Sequence, residues 1–377
     1  MLLSAIAFGL DNVVHVNSRE QLIAAAQKAI PGTTILVAPG EYRGGIHLVN
    51  VTGTRHSPIV IAGSDRANPP VFVGGGSTLQ VSDATYLELR DMVFRGATGN
   101  GLNIDDGGTP ETPSHHITLR DLRVSDLPEG NNDGIKLSGL EDFKVENCIV
   151  ERWGGSAVDM VGCRRGYISE NKFLNGGDSG VQMKGGTAQV VVRKCEFKNY
   201  GQRAVNIGGS TGREFFRPPL NTIKEGERYE ARQITVEGCT FVGGVAPIAF
   251  VGVDGAVVRF NTIYHPQRWA IRILQETASA DFLRCRNGVF ESNLVVFRSD
   301  QWFSGGVNIG GGTLPQTFQF AKNFWFCSDR PDRSKPSLPT TETGGVYGQD
   351  PLLIDPTKGD LGVKPGSPAA KIGAHGL

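Results

Sequence analysis

The sequence predicts a right-handed parallel β-helix solenoid with an N-terminal capping α-helix. Two observations carry that expectation. From about residue 80 to residue 325 one phrase recurs: an apolar triplet, an Asn, Asp or Cys, a second apolar stretch, then Gly-rich residues and a third apolar strand, with a spacing of roughly 22 to 30 residues and no helical period. Ile117-Thr118-Leu119-Arg120-Asp121, Tyr167-Ile168-Ser169-Glu170-Asn171 and Val258-Arg259-Phe260-Asn261 are three of its occurrences. The strand that closes each phrase also alternates inward and outward residues, as in Gly134-Ile135-Lys136-Leu137 and Gly180-Val181-Gln182-Met183. A coil of this kind buries its apolar face only by stacking on its neighbours.

Taken in order, the chain opens on Met1 to Leu10, an apolar stretch too short, and without the basic start, for an intact signal peptide; it reads as a remnant of one. The cap spans about 13–33. Within it Ser18 and Gln21 form a capping-box pattern that predicts a helix over 19–30, with Leu22, Ile23, Ala26 and Ile30 on its inner face and Pro31-Gly32 ending it. An open solenoid end exposes apolar surface and unpaired strand edges, so a lid is expected there. The coils begin with Thr34-Ile35-Leu36-Val37 and Ile59-Val60-Ile61. Asp121, Asn147, Asn171, Asn261, Asn293 and Asn323 are assigned to one inward turn, where stacked amides satisfy backbone groups. Cys195 and Cys239 share that slot as small buried thiols. Two stretches break the repeat, 208–230 and 274–287, and a tail of about 328–377 closes the single domain.

Stacking turns sequence columns into spatial ones, with equivalent residues about 4.8 Å apart. One outward column of the third strand reads Asn103, Lys136, Asp159, Gln182, Asn206, Phe250, Arg272, Asn308; a second reads Asp105, Ser138, Val161, Lys184, Gly208, Gly252, Leu274, Gly310. A third runs Asn100, Asp133, Ser156, Ser179, Arg203, Pro247, Trp269. A structural rod has no use for such a mixed-charge face, which marks it as a binding face. The 208–230 insertion, with Arg213, Phe215, Phe216, Arg217 and Tyr229, is expected to roof it.

Composition sets the outer bounds. Lys+Arg 38 against Asp+Glu 38 gives no basic field for nucleic acid and no acidic tail. The six cysteines contain no CxxC and no paired histidine spacing, which argues against zinc; disulfides stay open. No segment is long enough to span a membrane as a helix. A monomer is expected.

Val16-Asn17-Ser18 with the helix, Pro31-Gly32-Thr33-Thr34-Ile35, Pro39-Gly40-Glu41-Tyr42, Gly53-Thr54-Arg55-His56-Ser57-Pro58-Ile59, Asp350-Pro351-Leu352 and Lys364-Pro365-Gly366-Ser367-Pro368-Ala369 resemble the opening and closing of right-handed β-helix (pectin-lyase-like) polysaccharide lyases. The opening is closest to the family of chondroitinase B and alginate lyases, and the closing is similar to pectate lyases. The resemblance implies β-elimination on an acidic, uronate-containing polysaccharide and therefore a secreted or periplasmic protein. It also implies a base lysine at the end of a third strand, which Met183-Lys184-Gly185-Gly186 matches, and an acid arginine in the next coil. That coil reads Ile207-Gly208-Gly209-Ser210, so Arg203, Arg213 or Arg217 must take the arginine's part. Asn132-Asp133-Gly134-Ile135-Lys136 is similar to a calcium-binding Asp-Asp-Gly-x-Asp with two of its three aspartates replaced.

The chemistry asks for these residue types. Removing the proton α to a carboxylate needs a base, and a cation or amide donor for the enolate charge that develops. Lys184 is the candidate base, its proton loosened by neighbouring cations, with Arg203 and Lys136 beside it; Gln182, Asn206, Arg213, Arg217, Trp269 and Arg272 are candidate substrate contacts. Tyr264 and His265 extend a sugar platform with Trp269. Asp133 and Asp159 either bind calcium or hold Lys136 in an ion pair. Two alternatives stand beside the lyase: a β-helix glycoside hydrolase using Asp133, Asp159 or Asp178, and a non-catalytic carbohydrate-binding solenoid.

Overall fold

A computed structural model describes residues 12–377. The Met1 to Leu10 reading lies outside them. Three long sheets, of twelve, twelve and ten strands, are built from strands taken in turn, so that each sheet pairs a strand with its equivalent one coil away, and every pairing in the three is parallel. The architecture is the predicted right-handed β-helix. The strands Ile117-bearing Ser114–Arg120, then Arg123–Ser125, then Ile135–Ser138 make up one coil and belong to the first, second and third sheet respectively.

Helix α1 covers Arg19–Gln27, shorter than predicted. Ser18 accepts a hydrogen bond from the Gln21 amide, the first half of the capping box, and Gln21 Oε1 reaches back to accept the amide of Asn17, one residue before the cap. Leu22 and Ala26 are buried against the first coils, whereas Ile30, expected on that face, is beyond the helix end and 60% exposed.

Between the first and second strands of each coil the chain turns on one residue with φ near +50 to +64°: Asp91, Asp121, Asn147, Glu170, Lys194, Gly238, Phe260, Ser292 and Lys322. The next residue points inward. This corrects the predicted polar column, because Asp121 and Asn147 are the left-handed turn residues, while Leu122 and Cys148 fill the inward slot. From Asn171 onward the slot is as expected. Asn261 and Asn293 are fully buried, each donating through Nδ2 to the next amide oxygen along, 2.9 and 3.0 Å away, and to the carbonyls of Val236 and Val258. Asn323 ends the ladder on Glu342, whose carboxylate also accepts from Trp325 Nε1 and the Tyr347 hydroxyl. Cys195 and Cys239 are buried free thiols, and the Cys195 amide points to Cys239 Sγ at 3.5 Å.

The tail is ordered. Val346–Tyr347 joins the second sheet, Leu353–Asp355 pairs antiparallel with Asp360–Val363, and the last turn is tied by the Ala374 amide to Thr262 Oγ1 at 3.0 Å.

Candidate functional site

The outward face of the third sheet is assembled by register alone. Lys136 pairs with Asp159, Asp159 with Gln182 and Gln182 with Asn206, as the sequence columns require. The next step differs. Asn206 pairs with Ala249, and Ala249 with Arg272, so Phe250 lies in register with Ile207 and Ile273 and is buried inward. The same slip puts Ala246 and Val251 where Pro247 and Gly252 were expected. The strand Ala246–Val251 begins one residue earlier than a count from its glycines suggests, and a shift of one residue exchanges the two faces.

At the centre of this face stand two nearly inaccessible carboxylates, Asp133 and Asp159, 2% and 1% exposed. Asp133 is held by the coils on either side: Oδ1 accepts the Ser156 amide at 2.8 Å, and its amide donates to Asn100 Oδ1 at 2.8 Å. Lys136 Nζ lies between the two, ion-paired to Asp159 Oδ2 and 3.5 Å from Asp133 Oδ2. Lys184 Nζ approaches the other oxygen, Asp159 Oδ1, at 3.4 Å; that buried oxygen has no hydrogen-bond partner. Burial, then the Asp159 charge, raises Asp133 above the ordinary carboxylate range. Burial works against the Lys136 charge, but Asp159 and Asp133 outweigh it and hold the ammonium above the ordinary lysine range. Both lysine side chains keep some access to solvent, 21% and 17%, so a ligand meets the lysine nitrogens and the carboxylates lie beneath them.

Around this centre Gln182 accepts from Ser156 Oγ at 3.1 Å, and Arg203 donates to Asn206 Oδ1 at 3.1 Å and to Glu276 Oε1 at 2.7 Å. Lys184, Lys136, Asp133, Asp159, Gln182, Asn206 and Arg203 are thus brought together as predicted. Arg272 and Trp269 lie farther along the same face, with the Arg272 guanidinium 4.7 Å from the Trp269 ring centre.

Arg213 and Arg217 are not on the face. Arg217 reaches back to the buried Asp106 of an earlier coil, with Nη2 to Oδ1 at 2.8 Å and Nε to Oδ2. Arg213 pairs with Asp281 of the second insertion at 2.7 Å. The two insertions pack together through Phe216, Leu220 and Phe282, and the first runs along the turns that follow the third-sheet strands, where a Cβ on Gly162 would come within 2.3 Å of Arg217 Cβ. The insertion therefore walls the edge of the face; its Gly209 approaches the Gln182 and Lys184 side chains. Of the cations expected near Lys184, Arg213 and Arg217 are turned away, whereas Lys136 shares the Asp159 carboxylate with it. Tyr264 and His265 stack on each other at 3.9 Å, on the second-sheet strand Thr262–Tyr264 and its turn, away from this face.

Calcium takes six to eight oxygen ligands. Asp133 and Asp159 offer few, the shared position between them is taken by the Lys136 ammonium, and no group of three or more metal-ligating side chains occurs among the described residues. These residues do not fit calcium. Sequence reasoning missed Glu276 and Arg268, although the second interruption of the repeat and the neighbour of Trp269 marked both places. It also missed Glu230, fully buried, whose carboxylate accepts from the Gly185 amide at 2.9 Å and Thr211 Oγ1 at 2.8 Å and so pins the turn after Lys184.

A concavity of about 550 Å³ lies elsewhere, between the tail and the second-sheet edge, lined by residues that include Lys194, Thr240 and His375.

The family model for the right handed beta helix region matches residues 111–225. No curated protein matches the chain. Among solved structures, an alginate lyase from Paenibacillus sp. str. FPU-7 superposes with a TM-score of 0.56 at 16% identity, covering 80% of this chain and 98% of that one. A PL6 family polysaccharide lyase from Pseudopedobacter saltans gives 0.54 at 13% identity, covering 96% and 99%. A GH136 lacto-N-biosidase from Eubacterium ramulus also gives 0.54, at 12% identity, covering 88% and 63%. Lyases and a hydrolase share the fold, so the chemistry has to be argued from this chain's own residues.

Proposed function

We propose that the protein is an exported polysaccharide lyase that cleaves a uronate-containing polymer by β-elimination on the third-sheet face. One observation carries the reading: two partly exposed lysines sit over a buried carboxylate they share, and they are held unequally. Lys136 is bound by two carboxylates and keeps its charge, which suits it to neutralise a uronate carboxylate and the enolate that develops from it. Lys184 has one long contact and is the freer amine, which suits it to take the α-proton. In that step the C–H bond α to the carboxylate breaks and its proton passes to Lys184 Nζ, the double bond forms toward the neighbouring carbon, and the bond from that carbon to the glycosidic oxygen breaks, the leaving oxygen taking a proton from the Lys184 ammonium so formed or from water. Arg203, Gln182 and Asn206 orient the sugar. Asp133 and Asp159 serve as the counter-charge for Lys136, not as calcium ligands.

Hydrolysis by two carboxylates has less support, because Asp133 and Asp159 are buried beneath the lysines, Asp178 is the one exposed carboxylate of the three candidates, and acid–base attack on a glycosidic bond requires a pair of carboxyl groups that reach it. The test is a panel of uronate polymers incubated with the protein, with and without a chelator, while unsaturated and reducing ends are both counted. The reading expects unsaturated ends in equal number to new reducing ends, unchanged by chelation. Reducing ends without unsaturation would establish hydrolysis; no cleavage of any polymer would leave a binding solenoid; loss of activity on chelation would return the carboxylates to a metal.

A further inference from the structure

Resting on the polymer-binding reading above, we infer that the C-terminal part of the third-sheet face is a separate anion subsite, built from Arg268, Trp269 and Arg272, for a second acidic group on the same polysaccharide chain. Trp269 is 8% exposed, and two guanidinium groups lie over its ring, Arg268 at 4.5 Å and Arg272 at 4.7 Å. Arg268 also covers the exposed Phe303 at 4.7 Å. Among the described residues neither arginine has a carboxylate partner; Arg272 donates through Nε to the neutral Asn308 amide at 3.0 Å. Positive charge here is therefore in excess. Burial, then the Arg203 charge, lowers Arg272 below the ordinary arginine range, with Glu276 acting in the opposite direction.

A second observation points to a ligand independently of the charges. The indole Nε1 of Trp269 is buried and has no acceptor. A buried N–H left unpaired costs about 1–3 kcal/mol, and an acceptor oxygen brought by a ligand would recover it. An anionic group on an arginine fork is held by charge-assisted hydrogen bonds, which a neutral hydroxyl cannot equal. The aromatic rings beneath the guanidinium groups keep those groups flat, so their edges stay available to a planar carboxylate or a sulfate.

The strand carrying Arg272 is three pairings from the one carrying Lys184, through Arg203–Gly208 and Ala246–Val251, a distance of roughly 14 Å at about 4.8 Å per strand. A polymer laid along the solenoid axis would then place one acidic group at the Lys136–Lys184 centre and another, a few sugars along, on Arg268 and Arg272. Between them Glu276, the carboxylate nearest the stripe, occupies Arg203 at 2.7 Å. Its charge opposes an anionic chain, so its removal should tighten binding where removal of Arg272 weakens it.

Binding is measured without turnover by titrating Lys184→Ala protein with oligouronates, with sulfated neutral oligosaccharides and with uncharged oligosaccharides of the same length, following tryptophan fluorescence and calorimetric heat. Adding Arg272→Gln is expected to weaken the charged ligands about tenfold or more, and adding Glu276→Gln to tighten them a few-fold, with uncharged ligands unaffected by either. Binding of the uronates alone would identify the second group as a carboxylate; binding of the sulfated ligands would identify a sulfate. Equal effects of Arg272→Gln on charged and uncharged ligands, or tightening absent in Glu276→Gln, would overturn the subsite. Because no cleavage is involved, a protein that binds this way without forming unsaturated ends would refute the lyase reading and keep the subsite.

Discussion

Two polar ladders stack along this solenoid, one inside its later coils and one outside on the third sheet, and both are built by the same stacking. Inside, Asn261, Asn293 and Asn323 spend both amide hydrogens of each side chain on a carbonyl and on the next amide or Glu342, and the ladder closes. Outside, on the third sheet, Lys136, Asp159 and Lys184 leave a buried carboxylate oxygen without a hydrogen bond and two lysine side chains partly open to solvent. Equal geometry thus gives one ladder with nothing left to offer and one that is incomplete until something binds. The first is a stability device and the second is a site.

Separating those roles by mutation should produce opposite signatures. Asp159→Ala strips the carboxylate that two lysines share; it is expected to cost about 3–5 kcal/mol of stability and to abolish turnover, read by denaturant unfolding and by product formation. Asn293→Ala removes the acceptor for Asn261 and the donor to Val258; it should cost about 2–3 kcal/mol and leave turnover of the folded protein unchanged. If Asn293→Ala slowed turnover as much as it lowered stability, the two ladders would not be independent.

A pH series sharpens the outer half of the comparison. The folded protein holds the Lys136 proton more tightly than the unfolded chain does, so this contribution to stability is fully present below the ordinary lysine range and is lost as pH rises through the raised value. The gap in melting temperature between wild type and Lys136→Met should accordingly be constant up to about pH 10 and narrow above it. A gap that stayed constant into the alkaline range would mean that the ion pair is not the source. The smallest effects belong to the insertion. Arg217→Ala uncovers the buried Asp106 and should cost about 1–3 kcal/mol and raise KM more than it lowers kcat, whereas Arg213→Ala, on the surface, should leave the melting temperature unchanged.

The coils and the central cluster were readable in the sequence because the β-strand period and the stacking repeat together fix which residues share a face. Lys136, Asp159, Gln182 and Asn206 fell into line on that basis alone. The count failed where length varied. After the first insertion nothing in the sequence marks the start of the strand Ala246–Val251, and one residue of error exchanged Phe250 for Ala249. Asp121 and Asn147 were misassigned for a related reason: the left-handed turn residue and the inward residue are adjacent and both favour Asn. The partners of Arg213 and Arg217 were out of reach altogether, since Asp281 and Asp106 lie 68 and 111 residues away on other loops and coils, where no periodicity applies.

The central claim is that an amine on the outer ladder removes the α-proton of a uronate. It is tested most directly by the initial rate of unsaturated-end formation from the best uronate polymer, compared between wild type and Lys184→Ala at matched melting temperature. A general base contributes about 10²–10⁴-fold, so the account predicts a loss of at least about a hundredfold in kcat. A Lys184→Ala protein that forms unsaturated ends within a few-fold of the wild-type rate would contradict it.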